Sequence, residues 1–290
     1  MSTATAAGEG PLALICGGGS LPLAVADYVQ ARGREVLLFP LQGIAEPKDY
    51  ADRPRTTWVR LAMFGTFARV ARAAGCHELV MIGSMVRPSF WQLRFDFTTL
   101  RLLSRIAAAF HGGDDHILSS GVRLIEEQGF RVLGAHEVAP EILVPEGVLG
   151  RVQPSERDRA DIALGLAYLR ATGPFDVGQA AVVCGKHVQA VEAAEGTDRM
   201  LARVAELRAL GRIRTPPGSG VLVKAPKLGQ DLRFDMPSIG PLTVEGAARA
   251  GLAGVAVVAG SSLVAHPEQL IAAADRANIF VLGTPPGGPR

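Results

Sequence analysis

Neither sign of charge is in excess: Lys and Arg number 30 and Asp and Glu 28, a formal net charge of +2 over 290 residues. A nucleic-acid binder usually carries a basic bias or a basic run, so that class is not expected. Cysteine is rare. Cys16, Cys76 and Cys184 stand far apart without a CxxC pair, and an odd number cannot all pair within the chain. A disulfide framework and a structural zinc site are therefore not expected. Cys16 and Cys184, each inside an apolar run, read as buried thiols. No apolar stretch reaches the roughly 20 residues of a membrane-spanning helix. The longest, Gly251–Ala265, is interrupted by glycines and by Ser261 and Ser262. Met1–Gly10 lacks a basic stretch ahead of an apolar core, so no secretory leader is expected. These absences point to a soluble, cytoplasmic protein.

Aromatic residues are also scarce, at 6%, and the apolar 48% is carried mainly by Ala, Val and Leu. With 20% charged residues the composition is that of an ordinary globular protein, which excludes disorder. What the chain has in plenty is glycine and proline, 34 and 19 residues, well above their usual combined share of about 12%. No repeat accompanies the excess. It signals tight turns and close backbone approaches.

The first third alternates short apolar runs with helical patterns. Strands are expected at Leu12–Cys16, Val36–Phe39, Glu78–Ile82 and Phe130–Leu133. Helices are expected at Pro22–Arg32 (apolar stripe Leu23, Ala26, Ala31), Phe64–Ala74, Thr98–Phe110 and His116–Gln128, with Gly33 and Gly75 as C-terminal caps. Alternating β and α elements predict a Rossmann-like domain with a mostly parallel sheet over residues 1–138. Pro140, Pro145, Gly147, Gly150 and Pro154 then mark 139–154 as a linker without regular structure. A second α/β domain follows over 155–290. Its helices are expected at Ser155–Arg170, Thr197–Leu210, Val244–Ala250 and Pro267–Ala277. Its strands are expected at Gly178–Cys184 and Val188–Val191, joined at Gly185-Lys186, and at Val221–Val223, Gly254–Val258 and Ile279–Leu282. Two α/β domains with a cleft between them form the expected architecture, and such clefts favour ligands.

Gly17-Gly-Gly-Ser-Leu-Pro22 follows the first strand and opens the first helix. Glycines there let backbone amides approach an anion, and the helix N-terminus adds partial positive charge. A dinucleotide fingerprint needs a third glycine where Pro22 stands, and an acid after the second strand where Phe39-Pro-Leu-Gln42 has none. The loop suits a phosphate or nucleotide and argues against a nicotinamide cofactor; a plain strand-to-helix turn is the alternative. Gly83-Ser-Met-Val-Arg-Pro88 follows the third strand, where loops line the ligand crevice of an open α/β sheet. Gly83 and Ser84 could face the first glycine loop. In Gly112-Gly-Asp-Asp-His116, Asp114 or Asp115 could cap a helix, but two adjacent carboxylates also suit a hard cation such as Mg²⁺.

The second domain is richer. Glu195-Gly-Thr-Asp198 begins a helix, with Thr197 as a candidate cap. Lys224-Ala-Pro-Lys-Leu-Gly-Gln-Asp-Leu-Arg-Phe-Asp235 packs two Lys, one Arg, two Asp and a Gln into one segment. If extended, Asp231, Arg233 and Asp235 would share one polar face. An exposed loop could carry such charges idly. Mixed charge on one face also suits phosphate chemistry, with cations on phosphoryl oxygens and carboxylates on a metal or a water.

Together these segments resemble the UDP-2,3-diacylglucosamine pyrophosphatases of the LpxI type, from bacterial lipid A biosynthesis. The resemblance spans nearly the whole chain. It is carried by Gly17–Pro22, Gly83–Pro88, Gly113–Asp115, Gln179-Ala-Ala-Val-Val, Ala190–Asp198 and Lys224–Gly240, the last two being long and specific. Leu228 stands where the family usually has Pro, and Ala225 is a small apolar residue inside a charged motif.

The resemblance implies two α/β domains and a Mg²⁺-dependent hydrolase acting on a lipid-linked UDP-sugar. It would release UMP and 2,3-diacylglucosamine 1-phosphate (lipid X), with water attacking the β-phosphorus. Asp231 is the first candidate for metal ligand or water-orienting base, supported by Asp235; Asp198, Asp114 and Asp115 are further candidate metal ligands. Lys224, Lys227 and Arg233 would hold the diphosphate. Gly18, Gly19, Ser20, Leu21, Gly83 and Ser84 would contact nucleotide or phosphate, and Gln179 the sugar. Glu195, Gly196, Thr197 and Gln230 complete the expected substrate site. Peripheral contact with the inner membrane surface and a homodimer are expected. A nicotinamide-dependent oxidoreductase and a non-catalytic lipid–nucleotide carrier are the alternatives.

Overall fold

The computed structural model describes residues 10–61, 63–84, 122–227, 231–233 and 235–286. The chain divides into two compact units, Met1–Pro140 and Glu141–Arg290.

The first unit is built on a four-stranded sheet of order β2-β1-β3-β4, formed by β1 (Leu12–Cys16), β2 (Val36–Pro40), β3 (Glu78–Ile82) and β4 (Arg131–Leu133). All its pairings are parallel, as the alternation of apolar runs and helices predicts. Helix α1 (Leu21–Ala31) returns the chain from β1 to β2, and α2 (Phe64–Ala73) leads to β3. The buried face of α1 is Ala24, Val25, Ala26 and Val29, whereas Ala31 of the expected stripe is exposed. Gly33 and Gly75 follow the helices at positive φ, 85° and 79°, as expected of C-terminal caps. Thr98–Phe110 lies outside the described residues. So does most of His116–Gln128, of which 122–127 is helical. A one-turn helix α3 (Ala135–Val138) ends the unit.

The second unit holds a six-stranded mixed sheet of order β5-β12-β10-β8-β6-β7. Its strands are β5 (Gly147–Leu149), β6 (Ala180–Cys184), β7 (His187–Val191), β8 (Val221–Lys224), β10 (Gly254–Val258) and β12 (Phe280–Thr284). Two short strands, β9 (Ser238–Ile239) and β11 (Leu263–Val264), pair apart from it. Helix α4 (Glu156–Thr172) covers one face, packing Ile162, Leu166 and Leu169 on Ala181, Val221, Val223 and Phe280. Ser155 caps it, accepting from the Asp158 amide while Asp158 accepts from the Ser155 amide. The other face is covered by α5 (Gly196–Ala209), α6 (Pro241–Arg249) and α7 (Pro267–Ala277), whose Met200, Leu201, Val244 and Leu270 pack on Val182, Leu222 and Val255.

One feature departs from expectation. Residues 139–154 are not free of regular structure: β5 lies antiparallel to β12, and Ile142 and Val144 are fully buried. The prolines and glycines there break a helix, yet an edge strand of three residues tolerates them. The hairpin at Gly185-Lys186 forms as expected, with both residues at positive φ. Its amides are held by Asp161, a buried carboxylate of α4 that accepts from Gly185 N at 2.9 Å and Lys186 N at 2.6 Å.

All three cysteines are free thiols and buried. Burial pushes the Cys16 thiol up to about 12 from an ordinary 9.0, against weaker opposing hydrogen bonds. Above pH ~9 the unfolded chain releases this proton while the native protein keeps it, so stability is full below that pH and falls as pH rises towards the native value. One such thiol contributes a slope of about 1.4 kcal/mol per pH unit. Urea midpoints between pH 8.5 and 10.5 should fall less steeply for Cys16→Ala than for the parent protein. Equal slopes would contradict this burial.

Candidate functional site

Strand alternation decides where Lys224 goes. Val221 and Val223 of β8 face α4, and Leu222 faces the layer of α5, α6 and α7. With period two, Lys224 follows Leu222 onto that second face. There its side chain is buried, the residue being 7% exposed. Its ammonium donates to Thr197 Oγ1 at 3.1 Å, in the first turn of α5, and to the Ser238 carbonyl on β9 at 2.9 Å. Burial pushes the Lys224 ammonium below its ordinary range, while Glu192 and Asp198 oppose that shift.

The Thr197 hydroxyl in turn donates to Glu192 Oε1 at 2.6 Å. Glu192 Oε2 accepts from the Gln179 amide at 3.0 Å, and the Gln179 side chain donates from Nε2 to Asp235 Oδ1 at 3.0 Å. The Gln179 carbonyl accepts from the Ala225 amide, beside Lys224, at 3.0 Å. Lys224, Thr197, Gln179 and Asp235 of the expected site are thus brought together by Glu192, which sequence reasoning did not single out. Its register is the missed signal. Glu192 continues the face of β7 that carries buried Ala190.

Lys227, Arg233, Asp231 and Glu195 are paired locally. Lys227 forms an ion pair with Asp176. Arg233 grips Asp231 with two nitrogens, at 2.7 Å from Oδ2 and 3.0 Å from Oδ1, and the Arg233 amide also donates to Asp231 Oδ1. The segment is turned here, not extended: the Asp235 amide donates to the Asp231 carbonyl at 3.3 Å. The shared polar face expected of an extended strand is therefore absent, because the Asp231 carboxylate bonds its own backbone two residues on. Thr197 is not the cap of α5. Its hydroxyl is committed to Glu192, and Glu195 occupies the cap position without a side-chain bond into the helix. Gly196 turns the chain into α5 at φ 77°. Glu195 pairs with Arg203 at 2.8 Å, and backbone amides, its own first, together with Arg203 hold its carboxyl below the usual range. Asp198 is exposed in the first turn of α5.

In the first unit the two glycine loops meet as expected. Gly18 and Ser84 form an antiparallel bridge, each amide donating to the other's carbonyl at 2.9 Å. A Cβ on Gly17 would lie 2.6 Å from Ser84 O, and one on Gly83, already at φ 107°, 2.8 Å from Gly17 C. Only glycine allows this approach. The contact also uses the amides of Gly17 and Gly18, so these two do not point at a ligand. Gly19 and Ser20 are exposed where α1 begins, and Leu21 is half-buried. The amides of these three residues make no hydrogen bond to a described residue, which leaves the anion-attracting end of α1 in their hands.

Among the described residues no group of three His, Cys, Asp or Glu side chains is placed to hold a metal. Asp231 and Asp235 nonetheless supply hard oxygen donors one turn apart. Mg²⁺ takes one or two carboxylates with phosphate oxygens and water, so these two fit a cation that arrives with a diphosphate. Asp114, Asp115 and Gln230 lie outside the described residues.

Two family models cover most of the chain: the LpxI N-terminal domain matches residues 11–142 and the LpxI C-terminal domain residues 145–282. The chain belongs to the LpxI family. A relative from Caulobacter vibrioides, the UDP-2,3-diacylglucosamine pyrophosphatase LpxI, is 43% identical over 275 residues, spanning 95% of this chain and 98% of its own length. Both glycine loops and the Lys224 network lie within the LpxI matches, one in each family domain.

Only four lysines occur in this LpxI-family chain, and two of them stand in the 224–235 segment. Lys48 and Lys186 are exposed and Lys224 is buried. Acetylation of the native protein read by mass spectrometry should modify Lys48 and Lys186 first and Lys224 only on unfolding. Lys224 labelling as fast as Lys186 would contradict the site.

Proposed function

We infer that this chain hydrolyses the diphosphate of UDP-2,3-diacylglucosamine to UMP and 2,3-diacylglucosamine 1-phosphate, a step of lipid A biosynthesis. The observation that carries the reading is the whole-length match to a pyrophosphatase of that name, with the Lys224 network inside the matched region. The oxidoreductase reading has no comparable support.

The chemistry asked of the residues is charge compensation and orientation of water. A diphosphate brought to the site competes with Asp231 for the Arg233 guanidinium, whose planar donors suit phosphate oxygens equally well. Arg233 and Lys227 then hold phosphate oxygens, and the released Asp231 carboxylate orients water and accepts its proton. The water oxygen bonds to the β-phosphorus, the bond from that phosphorus to the bridging oxygen breaks, and UMP departs with the bridging oxygen. Lys224, buried behind this segment, supplies fixed positive charge. Gln179 steadies Asp235. Mg²⁺, when bound, would be held by Asp231 or Asp235 and would neutralise phosphate charge. The amides of Gly19, Ser20 and Leu21 suit a phosphate as well. Acyl chains make a membrane surface the source of substrate, so peripheral contact with it from the cytoplasmic side belongs to this reading, together with a homodimer.

The direct assay is release of UMP from UDP-2,3-diacylglucosamine. We expect Asp231→Ala to lose at least about 100-fold in kcat while still binding substrate, as removal of one main stabilising group does. Chelation with EDTA should abolish turnover and Mg²⁺ restore it. Full turnover by Asp231→Ala would remove that residue from the chemistry, and turnover unaffected by EDTA would remove the metal.

A further inference from the structure

Glu192 stands where two arms of the site join. One carboxylate oxygen accepts from the Thr197 hydroxyl at 2.6 Å, the short length of a charge-assisted bond, and the other accepts from the Gln179 amide at 3.0 Å. The first arm runs on to the Lys224 ammonium and the second to Asp235, through the Gln179 side chain.

The direction of these bonds has a consequence. A threonine hydroxyl has one proton to give and lone pairs with which to accept. Once its proton is given to Glu192, the Thr197 oxygen can only accept, and it accepts from Lys224. An ammonium has donors and no acceptor, so a hydroxyl turned the other way would face it proton to proton. Glu192 also fixes Gln179 from one side while the Ala225 amide holds the Gln179 carbonyl from the other. A single carboxylate thereby sets the seat of the ammonium and the position of the amide that holds Asp235.

We propose that Glu192 is a positioning residue of the hydrolytic site, acting through Thr197 on Lys224 and through Gln179 on Asp235. The proposal rests on the hydrolase reading for its kinetic test and on geometry alone for a second one. Glu192→Gln keeps size and shape but has one acceptor oxygen in place of two, so it can satisfy either Thr197 or Gln179 and not both. Its kcat/KM for UMP release should fall about 10- to 100-fold, as for loss of a supporting partner behind a reactive group, with most of the loss in kcat. Its cooperative thermal transition should be retained. Thr197→Ser, which keeps the hydroxyl, should lose much less of the rate than isosteric Thr197→Val, which removes it. The Glu192→Gln/Thr197→Val double variant should be little worse than the poorer single one, since the two residues act in one chain.

A purely structural role predicts a lowered melting temperature with the specific activity of the folded protein intact, and that result would overturn the proposal. So would losses that multiply in the double variant. If Glu192→Gln does not fold, the two Thr197 variants decide alone, and equal rates for Ser and Val overturn the proposal. The second readout needs no substrate: acetylation of Lys224 in the native protein should become faster in Thr197→Val than in Thr197→Ser. Should the parent protein release no UMP, the hydrolase reading fails by itself. Unchanged Lys224 labelling would then count separately against the positioning role.

Discussion

A buried ammonium organises the second unit. Placing a charged amine out of water is costly unless polar partners replace the lost hydration, and Lys224 has no choice of face once Val221 and Val223 are packed against α4. The protein answers with a hydroxyl from α5, a carbonyl from β9 and the nearby charge of Glu192. Each of these partners comes from a different element. Their convergence ties β7, α5 and β9 to the end of β8, which is also where the charged segment 225–235 departs. On the hydrolase reading, chemistry and architecture are joined at this one side chain.

On the hydrolase reading, the two units offer the substrate different kinds of group. In the first unit the exposed groups at the end of β1 are backbone amides of Gly19, Ser20 and Leu21, and the neighbouring glycines are spent on holding two loops together. In the second unit the groups are side chains, arranged as pairs of opposite charge, Lys227 with Asp176 and Arg233 with Asp231. Such pairs are exchangeable: a phosphate oxygen can take the place of the carboxylate without leaving a cation unpaired. On the hydrolase reading, the resting ion pairs keep the diphosphate-binding groups ordered until substrate replaces one partner of each.

Strong local patterns were legible in the sequence. Leu12–Cys16, Glu78–Ile82, Gly254–Val258 and Pro267–Ala277 appear with the expected bounds because an uninterrupted apolar run or a capped amphipathic repeat leaves few alternatives. β5, β9 and β11 were not legible. Two or three residues beside Pro and Gly carry no period, and their pairing is decided by partners more than a dozen residues away. The site follows the same division. Lys224 and Asp235 stand out as charged groups in a dense motif and Gln179 through the family resemblance, but their connection runs through Glu192, three residues before the expected Glu195. Spacing could not separate those two carboxylates. The register of β7 does, turning Glu192 inward beside Ala190, while Glu195 reaches Arg203. Asp161 was invisible for a similar reason, since its partners are main-chain amides of a hairpin.

The organisation of the second unit depends on Lys224 being a buried, partnered ammonium. Because the chain has four lysines, ¹³Cε resonances assigned by single Lys→Arg substitutions can follow each one through a pH titration. The account predicts that Lys224 deprotonates at a lower pH than a free lysine side chain, whose value is about 10.4. It also predicts that Thr197→Val changes the Lys224 chemical shift in the protonated state. A Lys224 that titrates like a free lysine, with a shift insensitive to Thr197, would contradict it.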